Sequence, residues 1–173
     1  MDEIVIKGGK RLSGMIEISG AKNSALPILA ASIMIPGEIF LQNVPGVRDV
    51  RIMSRLLEQL GLNVTKNSNN LTINARQIIS NEAPYDLVRT MRASVLLLGP
   101  LLARLRKARV SLPGGCAIGN RPIDIHLKCL EKMGAEVVLD RGMVDVSADQ
   151  LQGTSLVLDF PTVTGTENIM MAA

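Results

Sequence analysis

The sequence predicts an α/β fold built from repeated helix–strand–helix–strand–strand units wrapped around buried helices. Three observations carry that prediction. Leu57-Glu58-Gln59-Leu60-Gly61 recurs as Leu130-Glu131-Lys132-Met133-Gly134, an offset of 73 residues from Leu57 to Leu130, and self-similarity at a fixed period marks a repeated structural unit. Ala25-Leu26-Pro27-Ile28-Leu29-Ala30-Ala31 and Ala93-Ser94-Val95-Leu96-Leu97-Leu98 are apolar on every side, the pattern of a helix buried all round. Arg51 to Leu60 is amphipathic instead and belongs on the outside. The chain has 173 residues, 47% of them apolar, enough for one core and short for two domains. With aromatics at 2% and no Trp, that core is aliphatic.

In chain order, Ile4-Val5-Ile6 and Met15-Ile16-Glu17-Ile18 around Gly8-Gly9-Lys10 read as a two-stranded element over 2–19. Ser19 to Ser24 opens a helix to about Ile35, with Pro27 tolerated if it lies in or near the first turn. A strand over Glu38 to Val44, a Pro45-Gly46 turn and a helix from Val50 to Leu60 follow, closed by Gly61 as C-cap. Strands Asn63 to Lys66 and Leu71 to Asn74 flank a turn. The order then repeats: helix Asp86 to Leu105, strand Ala108 to Leu112, helix Ile123 to Met133 ending at Gly134, and strands Glu136 to Leu139 and Met143 to Ser147. Gly165-Thr166-Glu167-Asn168 echoes Gly20-Ala21-Lys22-Asn23 and starts a third copy. The units are copy one, 20–75, copy two, 86–148, and the start of copy three, 154–173. The third copy stops inside a helix, so the chain reads as a fragment.

Composition excludes several functions. The net charge of +3 suits small anionic ligands. Nucleic-acid binding wants a basic stripe and aromatic platforms, and one Tyr and two Phe do not supply them. Cys116 and Cys129 show no CxxC spacing and His126 is the sole histidine, which argues against a metal site. There is no Walker loop or GxGxxG and so no sign of a nucleotide cofactor. The acidic start Met1-Asp2-Glu3 is no signal peptide, and apolar runs such as Ser94 to Leu98 are too short to span a membrane. A cytoplasmic protein with reduced thiols is expected.

The stretch with most chemical promise is Pro113-Gly114-Gly115-Cys116-Ala117-Ile118-Gly119-Asn120-Arg121-Pro122. It reads as a strand end, a thiol in a glycine loop, an arginine and a helix start at Pro122. Either the thiol is an acid or nucleophile beside an anion site, or the loop is a tight turn with an incidental small residue. The repeat favours the first. Pro45-Gly46 aligns with Pro113-Gly114 and Arg48 with Arg121, which leaves Gly115-Cys116-Ala117-Ile118-Gly119 as five residues that copy two alone possesses. Arg121 and the helix start would lower the thiol pKa from about 8.5. Lys22 stands in the first turn of a helix, where the dipole disfavours a cation. Either an anion binds there too, as helix N-termini allow, or Lys22 points into solvent. Asn23 can cap that turn or bind a hydroxyl. Arg89 and Arg92 share a helix face, and the same anion argument applies. Arg104, Arg106, Lys107 and Arg109 read as a solvated helix end. His126 and Cys129 read as an ordinary, partly buried helix face.

Together Ser19-Gly20-Ala21-Lys22-Asn23, Ala83-Pro84-Tyr85-Asp86-Leu87-Val88, Thr90-Met91-Arg92-Ala93-Ser94 and the cysteine loop closely resemble the UDP-N-acetylglucosamine 1-carboxyvinyltransferases, enolpyruvyl transferases of peptidoglycan synthesis. The resemblance covers essentially the whole chain. The sibling transferase of aromatic biosynthesis shares the repeat fold and lacks this loop. The resemblance implies an inside-out α/β barrel and transfer of enolpyruvyl from phosphoenolpyruvate to the 3-hydroxyl of UDP-N-acetylglucosamine. It implies that Cys116 protonates the phosphoenolpyruvate methylene carbon, that Lys22, Asn23 and Arg121 contact phosphoenolpyruvate, and that Arg92, Arg121, Pro122, Ile123, Asp124 and Ile125 contact the nucleotide sugar. It also implies a second domain, absent here, that supplies a base carboxylate and a further arginine and packs with residues 1–19. Some relatives carry a lysine in the segment aligned with Asp159-Phe160-Pro161-Thr162, where this chain has Phe160. The 173 residues are expected to bind weakly without turnover. The alternative reading is a non-catalytic sugar-nucleotide binding module of the same fold.

Overall fold

The computed structural model describes residues 3–88, 91–112 and 123–173, and of Arg92 the backbone alone. Copy one comprises α1 (Lys22–Ala31) with a 3-10 turn at Ser32–Met34, β1 (Glu38–Leu41), α2 (Arg48–Gln59), β2 (Asn63–Asn67) and β3 (Asn70–Asn74). Copy two comprises β4 (Glu82–Ala83), α3 (Tyr85–Val88), a 3-10 segment (Arg92–Leu97), α4 (Leu98–Leu105), β5 (Lys107–Ser111), α5 (Asp124–Lys132), β6 (Glu136–Asp140) and β7 (Met143–Ser147). The last element is α6 (Val163–Ala172).

The strands form two sheets, β1-β3-β2 and β4-β5-β7-β6, antiparallel except for the parallel β4–β5 pair. Helices α1, α4 and α6 and the 3-10 segment at 92–97 pack on one another, α2 lies against α1 and β2, and α5 against α6 and β6. Leu29, Leu56, Leu57, Leu97, Leu101, Leu102 and Leu130 are fully buried, each worth about 1.5–3 kcal/mol of burial.

Four expectations need correction. The helix expected over Asp86 to Leu105 is divided into α3, the 3-10 segment and α4. Met91 is extended, with φ of -142° and ψ of 114°, and separates α3 from the 3-10 segment; Pro100, in the first turn of α4, has no N–H for the Leu96 carbonyl. Pro27 lies in the second turn of α1, not the first, and leaves the Asn23 carbonyl without its helical donor. Residues 3–19 hold no strand, and Ile4, Val5, Ile6, Met15, Ile16 and Ile18 are exposed. A lone strand pair with nothing packed beneath it is marginal. Finally, α1 is buried on one side only, through Ala25, Leu26, Leu29 and Ala30, with Ile28 half exposed.

The two copies superpose in register. Gln59 and Lys132 end α2 and α5 at the offset of 73, and β2–β3 matches β6–β7 at the same spacing. Gly61 and Gly134 close the two helices with φ of 100° and 91°, a left-handed cap that glycine adopts without penalty. The first strands differ in spacing. Glu38 pairs with Asn74 and Lys107 with Ser147, which puts β1 and β5 69 residues apart. Beyond them, Val44 N–H bonds the Asn69 carbonyl and Leu112 N–H bonds the equivalent Gly142 carbonyl, a spacing of 68. Copy one therefore contains one extra residue, Asn43, and its φ of 52° marks the bulge. From the spacing of 68 to that of 73, the copy-two connection is five residues longer.

Candidate active site

Cys116, Arg121, Pro122 and Arg89 lie outside the described residues, so the geometry concerns the remaining site candidates and what carries them. Lys22 opens α1. Its Nζ pairs with Asp49 Oδ2 at 3.0 Å, with side chains 49% and 31% exposed. Asp49 stands in the first turn of α2, where a carboxylate suits the dipole. Lys22 is thus paired with a carboxylate of the neighbouring helix rather than free in solvent. Asn23 is exposed and does not cap α1, whose N-cap is Ala21 with no side-chain bond.

The approach to Lys22 is held by Asn43, which sequence reasoning missed. Asn43 Oδ1 accepts from Gly20 N–H at 3.1 Å, and Asn43 N–H donates to Asn70 Oδ1 at 3.3 Å. A Cβ on Gly20 would overlap the Asn43 carbonyl, so only glycine fits there. The available signal was length: Asn43 is the residue that copy one has in excess of copy two.

Arg92 opens the 3-10 segment and Ile123 to Ile125 the first turn of α5. Asp124 is half exposed and pairs with Lys128 at 3.5 Å. Ile125 is buried and Ile123 partly buried against the core, so either can offer a ligand only backbone groups. The structure has no hydrogen bond or ion pair between Lys22 and Asp124. It does give their helices a common neighbour, because α6 packs against α1, α5 and the 3-10 segment. The echo between copies one and three places its residues differently. Asn23 lies in the exposed first turn of α1, whereas Asn168 is 1% exposed and a turn inside α6. Thr162 caps α6 earlier, its Oγ1 accepting from Gly165 N–H at 3.2 Å.

The basic cluster is not a solvated end throughout. Arg104 donates to the Ile33 carbonyl at 2.6 Å and the Arg76 carbonyl at 3.2 Å, clasping copy one. Arg109 sits across the strands between Glu82 at 3.8 Å and Asp145 at 3.5 Å. Arg106 and Lys107 are exposed as expected. His126 and Cys129 are buried helix-face residues, as read. Burial pushes the Cys129 thiol pKa up, only partly offset by Lys132, and burial pushes the His126 pKa down against the opposing pull of Asp124. A groove of about 220 Å³ runs between α2 and the β2–β3 hairpin, lined by Arg51, Arg55 and Lys66. Among the described residues no three potential metal ligands cluster, and no helix is long and apolar enough to cross a membrane.

The chain is 58% identical over its full length to the UDP-N-acetylglucosamine 1-carboxyvinyltransferase of Desulfatibacillum aliphaticivorans and 56% to that of Sorangium cellulosum. It spans 42% and 41% of those proteins. Among solved structures it resembles the enolpyruvyl transferase NikO from Streptomyces tendae, with a TM-score of 0.79 and 22% identity over 95% of this chain and 39% of that one. EPSP synthase from Acinetobacter baumannii gives 0.70 and 17%, over 92% of this chain and 37% of that one. Both support an α/β enolpyruvyl transferase fold. The family described as EPSP synthase (3-phosphoshikimate 1-carboxyvinyltransferase) matches residues 6–173, and this chain belongs to that family.

Proposed function

We propose that the chain forms the N-terminal part of a UDP-N-acetylglucosamine 1-carboxyvinyltransferase, transferring the enolpyruvyl group of phosphoenolpyruvate in the first committed step of peptidoglycan synthesis. The observation that carries this reading is identity of 53–58% along the entire chain to proteins of that name. The packing of α1 and α4 on α6 supports an inside-out barrel with helices at its centre.

In this reading the Cys116 thiol gives its proton to the methylene carbon of phosphoenolpyruvate. The positive charge that develops at the adjacent carbon is captured by the sugar 3-hydroxyl, which loses its proton to a base outside this chain. Phosphate then leaves as a proton departs the methyl group and restores the double bond. Lys22, Asn23 and Arg121 hold the phosphoenolpyruvate, and clustered cations stabilise the departing phosphate. Arg92, Arg121, Pro122, Ile123, Asp124 and Ile125 hold the nucleotide sugar, with Ile123 and Ile125 acting through backbone groups. A second domain closes over both substrates and excludes water. Such a protein works in the cytoplasm, where both substrates are found.

The test is the thiol. After incubation with UDP-N-acetylglucosamine and an epoxide analogue of phosphoenolpyruvate, peptide mapping by mass spectrometry is expected to find the adduct on Cys116. Cys129 is buried, and its raised pKa keeps it a thiol at neutral pH. Equal modification of both cysteines would remove the special role of Cys116. The 173 residues alone are expected to release no phosphate from the substrate pair; measurable release would show that no outside base is needed.

A further inference from the structure

Beneath the first turn of α5 lies a polar cluster that the reaction above does not use. His126 and Asn168 are 4% and 1% exposed. Asn168 Oδ1 accepts from Gly99 N–H at 2.6 Å, and this bond fixes which way the amide faces. Its NH₂ then donates to the Val95 carbonyl at 3.2 Å and points at His126 Nδ1 at 3.0 Å. A donor facing Nδ1 requires that nitrogen to accept, so the ring proton sits on Nε2, which faces Thr164 Oγ1 at 3.5 Å. Gly99 completes the seat, because a Cβ there would overlap the Asn168 carbonyl.

The cluster ties three segments together. His126 is the third residue of α5, Asn168 belongs to α6, and Val95 lies in the 3-10 segment that opens at Arg92. We propose that His126 is a positioning residue for the nucleotide-sugar half of the site, holding the first turn of α5 at a fixed spacing from the segment that carries Arg92. The inference rests on the function proposed above. The lock works only with a neutral ring. A proton on Nδ1 would set two donors face to face, and the amide cannot turn over, since its NH₂ would then confront Gly99 N–H. Charged and titratable groups on the surrounding elements are Asp124, Lys128, Cys129, Glu131 and Lys132 of α5, Arg92 of the 3-10 segment, Arg104 of α4, Glu167 of α6, Asp159 ahead of it, and Glu136 and Asp140 of β6. Of these Asp124 favours the charged ring, and burial opposes it more strongly.

The whole protein, isotopically labelled at histidine, tests this. The His126 signals are identified by their loss in His126→Gln. The nitrogen shifts are expected to report the Nε2–H form, with titration below the ordinary value of 6.5. Asn168→Asp offers Nδ1 an anion and is expected to move that titration above 6.5. His126→Leu is expected to weaken UDP-N-acetylglucosamine binding by about tenfold, with little change in the rate at saturating substrate. His126→Gln can present its carbonyl oxygen to the Asn168 NH₂; it is expected to keep the affinity and to make it constant between about pH 5 and 7. Wild-type affinity is expected to fall over that range as the ring takes up a proton. An Nδ1–H ring in the wild type, or a folded His126→Leu protein with unchanged affinity, overturns the inference alone. A wild type that binds no UDP-N-acetylglucosamine at any pH overturns the proposed function and this inference with it. Should His126→Leu not fold, the ring tautomer and the Asn168→Asp shift still decide the matter.

Discussion

Asn43 shows how one side chain sets the approach to a reactive group. Its left-handed backbone lets the carbonyl press on Gly20 while the amide oxygen takes Gly20 N–H, two residues before Lys22. Gly20→Ala is expected to cost about 1–3 kcal/mol in urea unfolding, as overpacking does. Asn43→Gly keeps the backbone conformation and loses one exposed hydrogen bond, so stability should change by no more than about 1 kcal/mol. In the whole protein that variant is expected to raise KM for phosphoenolpyruvate more than it lowers kcat; unchanged kinetics would confine Asn43 to a structural role. The Lys22–Asp49 pair makes a complementary case. It is too exposed to matter much for stability, about 1 kcal/mol or less, yet under the proposed function Asp49 and phosphoenolpyruvate compete for the same cation. Asp49→Asn is expected to tighten phosphoenolpyruvate binding in a calorimetric titration, and weaker binding would mean that Asp49 instead orients Lys22.

Among the elements, the two outer helices are the most legible part of the chain. Their apolar stripes and closing glycines appear in the sequence at one spacing, and Leu57 and Leu130 are fully buried at matched positions. Leu57→Ala and Leu130→Ala are each expected to cost about 2–5 kcal/mol, measured by chemical unfolding, and to add in combination because α2 packs on α1 and β2 and α5 on α6 and β6. What escaped notice has a physical reason in each case. The run from Asp86 to Leu105 has unbroken helical hydrophobicity, yet Met91 is extended and Pro100 lacks the N–H that would continue a ladder from Leu96. Residues 3–19 alternate like strands, but alternation reports only a preference, and no sheet partner lies within reach. The Arg104 clasp depends on two carbonyls far away in sequence, which no local pattern reveals.

For the molecule as a whole, the repeat and the site motifs were readable, and the couplings between copies were not. His126 looked like an ordinary buried position. Only the fold shows that its partners, Asn168 and Thr164, both come from α6, and that Asn168 in turn holds Val95 and Gly99. The His126 pKa is depressed in the fold, so the unfolded chain binds more protons below pH 6.5. Stability is therefore full above about 6.5 and declines as pH falls through the folded pKa. Glu167, whose pKa burial raises from 4.5, acts oppositely: its contribution is lost as pH rises through its folded value. Thermal unfolding between pH 7 and 5 is expected to show the decline from His126 and to lose it in His126→Gln. A slope that survives the substitution would assign it to other groups.

From their first strands onward, the two copies depart from each other in length at one junction, between that strand and the second helix. One gained a single residue there, the other five, and the paired hairpins on either side kept their register. The junction is thus a place where duplicated chains can diverge at little cost to the sheet, so novelty can accumulate there while the frame is inherited unchanged. Trimming residues 115–119 should accordingly give a protein that unfolds at nearly the same temperature and has lost its chemistry.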